Sequence, residues 1–511
     1  MNGEKTNPIQ YSDPPLRLGS TEDFRLVAAA LRVPGFDEAT IKRVLDRSGF
    51  AALDLDPTEV VQDPSTLGPQ FTVLTKLFVQ LEPVAKTEVE KVLERETLEA
   101  FLALDLLREF IPDPSQYCSS VFLCPVGDIL IASDQYKNTT GMEPFPSPEW
   151  VYPAIRASGF VKLMPRSPAK NVLDLCSGAG ICALALSKQV MHVVASDITD
   201  RSTHFGRFNS LLNDRTNIEV VKGDLFNAVD GQTFDRIVAH PPYMPTLEEA
   251  RIWRDGGPIG DAILRRIIEQ LPSYLRSGGT YVCFCLGIDS QTQRFEDKIR
   301  SWLGDNQNHF DVIFAAKRYV SPKQLARELL ERERSVGVGV IEIEKRFVES
   351  GASVFAYGAL ALQKHGKDAD NPWTLRTELS GKTDGSSFEF AFGWNRVSST
   401  PEFVPELSRL RPRLASGLRV RVTHTVQRGK LVPAEFLLEA DWPFLHKAQA
   451  DSAIISVLAR FNGVLKVSEV YTQARADGTI PKEVEFPDFA SMIAMQITRG
   501  YLTVPDTSWR G

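Results

Sequence analysis

Two segments of the 511-residue chain carry residue types whose spacing indicates chemistry. The first is VLDLCSGAG, residues 172–180, a hydrophobic stretch that runs into small residues. It predicts a strand, a glycine turn and then a helix, the arrangement that holds a nucleotide-like cofactor at the carboxyl end of a parallel sheet. The second is FDRIVAHPPY, residues 234–243, in which a rigid His-Pro-Pro-Tyr corner follows another strand. We expect a reacting group to bind at that corner.

Acidic residues end three successive predicted strands of this region. Asp174 closes the first strand. Asp197 follows about 20 residues later, where a carboxylate can bind both hydroxyls of a ribose. Asp224 ends the third strand in GDLF, where it can accept a hydrogen bond from an adenine amine while Leu225 packs on the ring. Three carboxylates at the same edge of a sheet predict a nucleoside-binding crevice.

The turn after the first strand contains Gly178 and Gly180. Glycine is required where the backbone must approach a ligand closely or adopt a positive φ. A helix predicted to begin near Ile181 would direct its first N–H groups at a carboxylate of the ligand. Cys176 lies in the same turn and is expected to contact the cofactor.

The elements that must position these residues alternate between strand and helix. Such alternation predicts an α/β fold: a doubly wound, mostly parallel, seven-stranded Rossmann-like sheet with helices on both faces. Apolar residues at three- and four-residue spacing predict helices over residues 20–115, and SSVFLCPVGDILIASD predicts a hairpin that turns at Gly127 and Asp128. The seven predicted strands are NVLDLCS, HVVASDI, IEVVKGD, FDRIVAHP, GTYVCFCLG, FDVIFAAKRYV and SVFAYGALALQ.

The pattern predicts five parts of the chain. They are a disordered tail over 1–19, a helical, winged-helix-like domain over 20–140, the α/β domain over 141–366, a β-rich segment over 367–440, and a second winged-helix-like domain over 441–511. Within the β-rich segment, SSFEFAFGWNRV and LRVRVTHTVQRGKLVPAEFLLEA alternate with period two and predict half-exposed strands.

Composition excludes several classes of protein. A 43% hydrophobic and 24% charged content is that of a globular chain, and no apolar run reaches the roughly 18 residues of a membrane span. The polar N-terminus has no apolar signal core, so we expect a cytoplasmic protein. The six cysteines include no CxxC pair, and His192, His204 and His240 share no metal-ligand spacing, so no metal site is expected. A net charge of −7 disfavours nucleic acid as a partner.

These residues resemble the class I S-adenosylmethionine methyltransferases, and within them the branch of release-factor glutamine methyltransferases and their small-domain relatives. That branch carries the motif Asn-Pro-Pro-Tyr. The similarity covers about residues 145–290 and includes the Arg254-Asp255-Gly256-Gly257 run. It implies S-adenosylmethionine as the cofactor. The residues that the resemblance and the motifs assign to it are Asp174, Cys176, Gly178, Gly180, Asp197, Asp224, Leu225 and His240, and those assigned to the methyl acceptor are Pro241, Pro242, Tyr243 and Arg254.

His240 stands where the family has asparagine. In the family, the asparagine oxygen and the following proline carbonyl accept hydrogen bonds from a planar NH2, and the tyrosine stacks on the acceptor. Neutral histidine offers one acceptor nitrogen, and it can also remove a proton, which asparagine cannot. His240 and Tyr243 are therefore the predicted catalytic residues. His240 either positions a nitrogen nucleophile, acts as general base, or only fills the corner.

These residues predict a methyltransferase acting on a nitrogen or oxygen of a small molecule or a peptide. One alternative is an N-methyltransferase of RNA or of a protein side chain, for which FVPELSRLRPRLASGLRVRV, residues 403–422, is the local basic candidate. Another is a module that binds S-adenosylmethionine without catalysis. A homodimer is compatible with the sequence, and no membrane partner is expected.

Overall fold

The computed structural model of the chain describes residues 14–47, 63, 66–137, 149–247, 251–332, 337–365 and 372–504. The chain divides into two compact units. The first contains Met1–Lys162, Ser167–Leu286 and Ala326–Ser350, and the second contains Leu163–Arg166, Gly287–Leu325 and Gly351–Gly511. Most of the predicted disordered tail, residues 1–13, lies outside the described residues.

The amino-terminal part of the first unit consists of helices followed by short antiparallel strands. Helix α1 begins at a reciprocal cap, because the Asp23 amide donates to the Ser20 hydroxyl at 3.2 Å and the Ser20 amide donates to the Asp23 carboxylate at 2.8 Å. Strands β4 and β5 form the predicted hairpin, with Gly127 at φ +58° in its turn. The elements are α1 (Thr21–Leu31), α2 (Glu38–Arg47), α3 (Pro69–Phe78), β1 (Val84–Ala85), α4 (Lys86–Val92), α5 (Arg95–Ala103), β2 (Leu107–Glu109), β3 (Gln116–Ser119), β4 (Phe122–Val126) and β5 (Ile129–Ser133).

Parallel strands and helices alternate in the next part, as predicted. The strands lie in the order β10-β9-β6-β7-β8, and each neighbouring pair is parallel. The inner residues of β6, β7, β9 and β10 are mostly apolar and buried, as in a parallel sheet covered on both faces, whereas the edge strand β8 has no buried residue. The elements are α6 (Ser158–Leu163), β6 (Ala169–Leu175), α7 (Ile181–Leu186), β7 (Val190–Asp197), α8 (Asp200–Leu212), β8 (Ile218–Lys222), β9 (Phe234–Ala239), α9 (Ala262–Tyr274) and β10 (Leu275–Asp289).

The direction of the strand order reverses between β6 and β9. From β6 the chain passes outward to β7 and β8, then returns to β9 on the other side of β6. In doubly wound sheets, ligands bind outside the carboxyl ends of the strands at such a reversal. The two sequence segments that indicate chemistry therefore flank the crevice that the topology creates.

The remaining elements complete the sheet and form the carboxy-terminal part. The α/β fold has eight strands instead of the predicted seven, because the short polar segment WTLRTELS contributes β13. The elements are α10 (Phe295–Leu303), β11 (Phe310–Val320), α11 (Pro322–Arg332), α12 (Val340–Glu349), β12 (Val354–Lys364), β13 (Thr374–Glu378), α13 (Gly385–Ser398), α14 (Phe403–Arg409), β14 (Arg413–Leu414), β15 (Arg419–Gln427), β16 (Lys430–Ala440), β17 (His446–Ala450), α15 (Ser452–Leu458), α16 (Val467–Ala476), α17 (Phe486–Thr498) and β18 (Leu502–Thr503).

The prediction of a strand over SSFEFAFGWNRV is wrong, because this segment forms helix α13. The alternating aromatic residues favour a strand locally. However, Asp384 caps the helix by accepting from the Ser387 amide at 3.2 Å, and Phe388, Phe390 and Trp394 are all buried. When tertiary packing buries several faces of a helix, the spacing of its apolar residues no longer distinguishes a helix from a strand.

The prediction of helices over residues 20–115 is wrong at two places, where the short strands β1 and β2 form because both pair with β3. The other predicted elements are present with small shifts at their ends. LRVRVTHTVQRGKLVPAEFLLEA forms β15 and β16, and the last segment forms helices and the short strand β18 around an apolar core that includes Val470, Ile493 and Tyr501. The winged-helix interpretation of the flanks and the five-part division remain predictions. Within the part of the chain that the structure describes, no helix combines the length and apolarity needed to span a membrane.

Candidate active site

The crevice at the strand-order reversal brings the two predicted segments side by side. Strand β6 pairs in parallel with β9, with Leu175 opposite Ala239. The residue that follows β6 is Cys176, and the residue that follows β9 is His240. The start of the glycine turn and the start of the His-Pro-Pro-Tyr corner therefore lie next to each other.

The glycine turn adopts the conformation that its sequence predicts. Gly178 has a φ of +52° and Gly180 a φ of +85°, in the left-handed region that favours glycine. A Cβ placed on Gly178 would meet no atom within 4 Å, so this face of the turn is open. Cys176 also has a positive φ, of 56°, and burial raises the pKa of its thiol, which keeps the thiol protonated.

Asp174 is buried at the end of β6 and has one oxygen without a partner. Its Oδ2 accepts from the Ala183 amide in the first turn of α7 at 2.9 Å. Its Oδ1 is buried and accepts no hydrogen bond within the described residues. Burial, together with the nearby charge of Asp197, raises the pKa of Asp174 to about 8. A buried carboxyl group with an unused acceptor is costly unless a ligand supplies the missing donor or charge.

The other two predicted carboxylates lie at the neighbouring strand ends. Asp197 accepts from the Gly178 amide at 2.9 Å, and its backbone carbonyl accepts from the Gly223 amide at 2.9 Å, which joins the ends of β7 and β8. Burial raises the pKa of Asp197 above its ordinary value. Asp224 forms an ion pair with Arg266 of α9, at 2.6 Å. One of its oxygens is therefore already engaged by the protein.

Leu225 follows Asp224 in a left-handed conformation, with a φ of 51°, and its side chain is buried. The structure thus brings every residue of the predicted cofactor set to the carboxyl edge of the β6–β9 region. The set also fits a positively charged nucleoside. It offers an unused buried carboxyl oxygen at Asp174, an open glycine face at Gly178, and three carboxyl groups.

His240 is held by aromatic rings. Its ring is stacked on Phe160, with centroids 5.4 Å apart and planes 29° apart, and it contacts Tyr243 and Phe284 at 5.9 and 6.2 Å. Within the described residues, no side chain or backbone group hydrogen-bonds the ring. Burial lowers the pKa of His240 to about 4, so the ring is neutral at physiological pH and has an acceptor nitrogen for a ligand.

The Pro-Pro-Tyr residues are fixed by a loop that follows in the sequence. The Met244 amide donates to the Arg254 carbonyl at 3.0 Å, and the Gly256 amide donates to the Met244 carbonyl at 2.8 Å. Gly256 is required at this contact, because a Cβ there would lie 2.7 Å from the Pro242 carbonyl oxygen. The Arg-Asp-Gly-Gly run therefore acts as the support of the corner.

Arg254 was predicted to bind the acceptor, and its side chain forms an ion pair with Asp255 at 2.5 Å. Asp255 is buried and also accepts from the Arg251 amide at 2.9 Å, so it joins two residues of the supporting loop. A role of Arg254 in acceptor binding remains a prediction. A role of Asp255 in shaping the loop follows directly from these bonds.

Asn209 of α8 supports the site but carries no motif that sequence reasoning could have recognised. Its fully buried side-chain amide donates to the carbonyl of Ala179 in the glycine turn at 2.9 Å. The same side chain exchanges hydrogen bonds with both backbone groups of Ala132 in β5. Asn213, one helical turn later, bonds Leu130 in the same way but does not reach the turn.

The chain is similar to known methyltransferases over this region. The family model described as methyltransferase small domain matches residues 157–300. A putative protein N5-glutamine methyltransferase of Methanocaldococcus jannaschii is 35% identical over 139 residues, which is 26% of this chain and 70% of the relative. A release factor glutamine methyltransferase of Thermodesulfovibrio yellowstonii is 31% identical, and a ribosomal protein uL3 glutamine methyltransferase of Xylella fastidiosa is 27% identical. The alignments cover 21% and 25% of this chain, and 44% of each of these two relatives.

The fold, the crevice and these similarities define a class I S-adenosylmethionine-dependent methyltransferase. The chain belongs to the methyltransferase small domain family, in the branch of the release-factor and ribosomal-protein glutamine methyltransferases. It spans less than half the length of the two bacterial relatives.

Proposed function

We propose that this enzyme methylates a planar side-chain nitrogen of a protein or peptide held at the His240–Tyr243 corner. The observation that carries the proposal is the state of His240. The ring is fixed by stacking, is neutral because burial lowers its pKa to about 4, and has no hydrogen-bond partner within the described residues. This is an acceptor oriented in advance for an N–H group of a substrate.

When bound, S-adenosylmethionine supplies an electrophilic methyl group on a sulfonium. The proposed contacts are the glycine turn, whose open face at Gly178 admits a ligand, and the carboxyl groups of Asp174 and Asp197. The further residues assigned to this role are Cys176, Gly180, Asp224 and Leu225, with His240 at the boundary to the acceptor.

A positioning role for His240 is favoured over a general-base role. A general base works best when its pKa lies near the operating pH. With a pKa of about 4, His240 holds a proton too weakly to take one from an amine or a hydroxyl at neutral pH. Accepting a hydrogen bond requires only a neutral ring. Because methyl transfer depends mainly on proximity and alignment, a fixed acceptor is the contribution that the reaction needs.

The acceptor nitrogen is inferred to be an amide or a similar planar group. Neutral His240 accepts one N–H, and the carbonyl of Pro241 stands in the place of the family's second acceptor. Tyr243 follows on the same corner, 5.9 Å from the His240 ring, where it can pack on a flat group. The names of the relatives specify glutamine side chains, which have such a nitrogen. We therefore propose a protein amide as the acceptor, ahead of a small molecule or RNA.

The test is to identify the class of molecule that receives the methyl group. Purified enzyme is incubated with methyl-labelled S-adenosylmethionine and an extract of source cells that lack the gene, and the products are separated into protein, nucleic acid and small molecules. The expected label is protease-sensitive, nuclease-resistant and located by mass spectrometry on a side-chain nitrogen. Label in the nucleic-acid or small-molecule fraction, or on a protein oxygen, would contradict the proposal.

A further inference from the structure

Strand β15 is an exposed sheet edge. All nine of its residues, Arg419–Gln427, are exposed. The sheet order β15-β16-β17 puts it on the outside, where its backbone is hydrogen-bonded to β16 on one side. On its other side it pairs with no strand within the described residues. Proteins usually shorten, charge or cover such an edge, because a row of free N–H and C=O groups is a template for another strand.

One face of the ribbon formed by β15 and β16 is apolar. Val420, Val422 and Val426 lie at even positions and share this face with His424, and the three valines have exposures of 45%, 41% and 71%. Leu431, which pairs with Val426 across the ribbon, is 72% exposed. When large apolar side chains are grouped on one exposed face, that face is usually an interaction site.

The charges on β15 do not protect the edge. Arg419 forms ion pairs with Glu439 at 2.5 Å and with Asp441 at 2.7 Å, and Arg421 forms one with Glu439 at 2.7 Å. These two carboxylates offset the charge of the two arginines, although Glu439 is shared with Lys447 at 3.7 Å. The repulsion that would otherwise keep a second strand away is therefore weakened.

We propose that β15 pairs with β15 of a second copy of this chain, antiparallel, about a twofold axis at Thr423. This register uses the whole strand, and it puts Arg419 opposite Gln427, Arg421 opposite Thr425, and Val420 opposite Val426. No like charges face each other. The apolar faces of the two ribbons also become continuous, as a self-complementary interface requires.

The alternative registers are less favourable. A shift by one residue sets the valines of one strand opposite the threonines and arginines of the other, because side chains alternate between faces. A shift of the axis to Arg421 sets two arginines directly opposite each other. The axis at Thr423 keeps all nine residues paired and avoids both defects.

The test is the oligomeric state of the full chain in sedimentation velocity, from about 1 to about 100 µM. The wild-type chain is expected to form a dimer that dissociates on dilution. Thr423→Lys sets two lysines opposite each other at the axis, and it is expected to raise the dimer dissociation constant at least about tenfold. The matched control is Ala434→Lys, which adds the same charge to an exposed β16 position that has no partner in the ribbon, and it should leave the constant within about twofold.

The register is tested with single cysteines. Under mild oxidation, Thr423→Cys is expected to give a covalent dimer, whereas Thr425→Cys, which lies opposite Arg421, is not. A wild-type chain that stays monomeric over the concentration range would overturn the proposal. So would equal effects of Thr423→Lys and Ala434→Lys, or equal cross-linking at the two cysteine positions. Circular dichroism of each variant establishes that it is folded.

Discussion

The two halves of the crevice are built by different means. On the cofactor half, backbone amides and carboxylates bond one another, as between Gly178 and Asp197 and between Ala183 and Asp174. On the acceptor half, His240 is held by ring stacking and has no polar partner within the described residues. On the cofactor half, hydrogen bonds within the protein thus hold the carboxylates and leave one oxygen of Asp174 to the ligand, whereas the whole polar edge of the His240 ring is left to the ligand. A sequence motif therefore identifies the cofactor more readily than the methyl acceptor.

The largest expected effect is on the cofactor half, from Asp174→Asn. Asparagine has a single acceptor oxygen, which the Ala183 amide would occupy, so a donor NH2 would replace the unused carboxyl oxygen. We expect the dissociation constant of S-adenosylhomocysteine, measured by calorimetry, to rise about 30- to 100-fold. Asp235→Asn, at the opposite end of the strands, is the matched control and should change it less than about twofold.

The same substitution is expected to stabilise the ligand-free protein. The pKa of Asp174 is raised to about 8, so between pH 4 and 8 the folded state binds more protons than the unfolded state. The free energy of unfolding therefore falls as pH rises through that window. Asp174→Asn removes this penalty and should add about 1 to 3 kcal/mol at pH 8 in chemical denaturation. A loss of stability at pH 8 would mean that Asp174 supports the fold rather than the ligand.

The next effect is on the acceptor half, from Gly256→Ala. The new methyl group would meet the carbonyl oxygens of Pro242 and Gly260, which are backbone atoms that cannot rotate away. The corner should shift, and methyl incorporation into protein should fall about tenfold or more, while binding of S-adenosylhomocysteine stays within about twofold. Gly339→Ala, at an open position with no neighbouring atom within 4 Å, is the control. Equal losses of cofactor binding and incorporation would show that the halves are not separable.

A smaller effect is expected from Asn209→Ala compared with Asn213→Ala. Both side chains bond β5, but only Asn209 also holds the Ala179 carbonyl of the glycine turn. Both variants should lose similar stability, whereas only Asn209→Ala should weaken S-adenosylhomocysteine binding, by about fivefold. If both variants lose binding equally at equal stability, the hydrogen bond from Asn209 to the glycine turn does not support cofactor binding.

The smallest effect is that of pH on the reaction. Because burial lowers the pKa of His240 to about 4, the ring does not titrate between pH 6 and 8. Methyl incorporation under subsaturating acceptor should change less than about twofold over that range. An ordinary histidine acting as a base would give a rate that falls steeply below about pH 6.5.

Between pH 6.5 and 4 the unfolded state binds more protons at His240 than the folded state does, so acid should reduce the free energy of unfolding.

The sequence predicted the parallel strands well because their apolar runs are bounded by glycine and aspartate. Strand β11 was predicted with its observed ends. The helix α13 could not be predicted from its sequence, because its aromatic residues are buried by contacts with residues distant in the sequence. The cofactor residues were predicted from the motifs and from the family resemblance that the motifs carry. Asn209 and Phe160 were not, because each acts through a contact between distant segments that no local pattern records.

The central claim is that His240 positions the acceptor through a neutral ring nitrogen. The most direct test compares His240→Asn with His240→Ala, by methyl incorporation into the acceptor protein and by S-adenosylhomocysteine binding. Asparagine restores a hydrogen-bond acceptor, so it should keep at least about a tenth of the wild-type rate, whereas alanine should lose about a hundredfold. Both should bind S-adenosylhomocysteine within about threefold of wild type. If His240→Asn is as inactive as His240→Ala while both still bind, His240 removes a proton and the account is wrong.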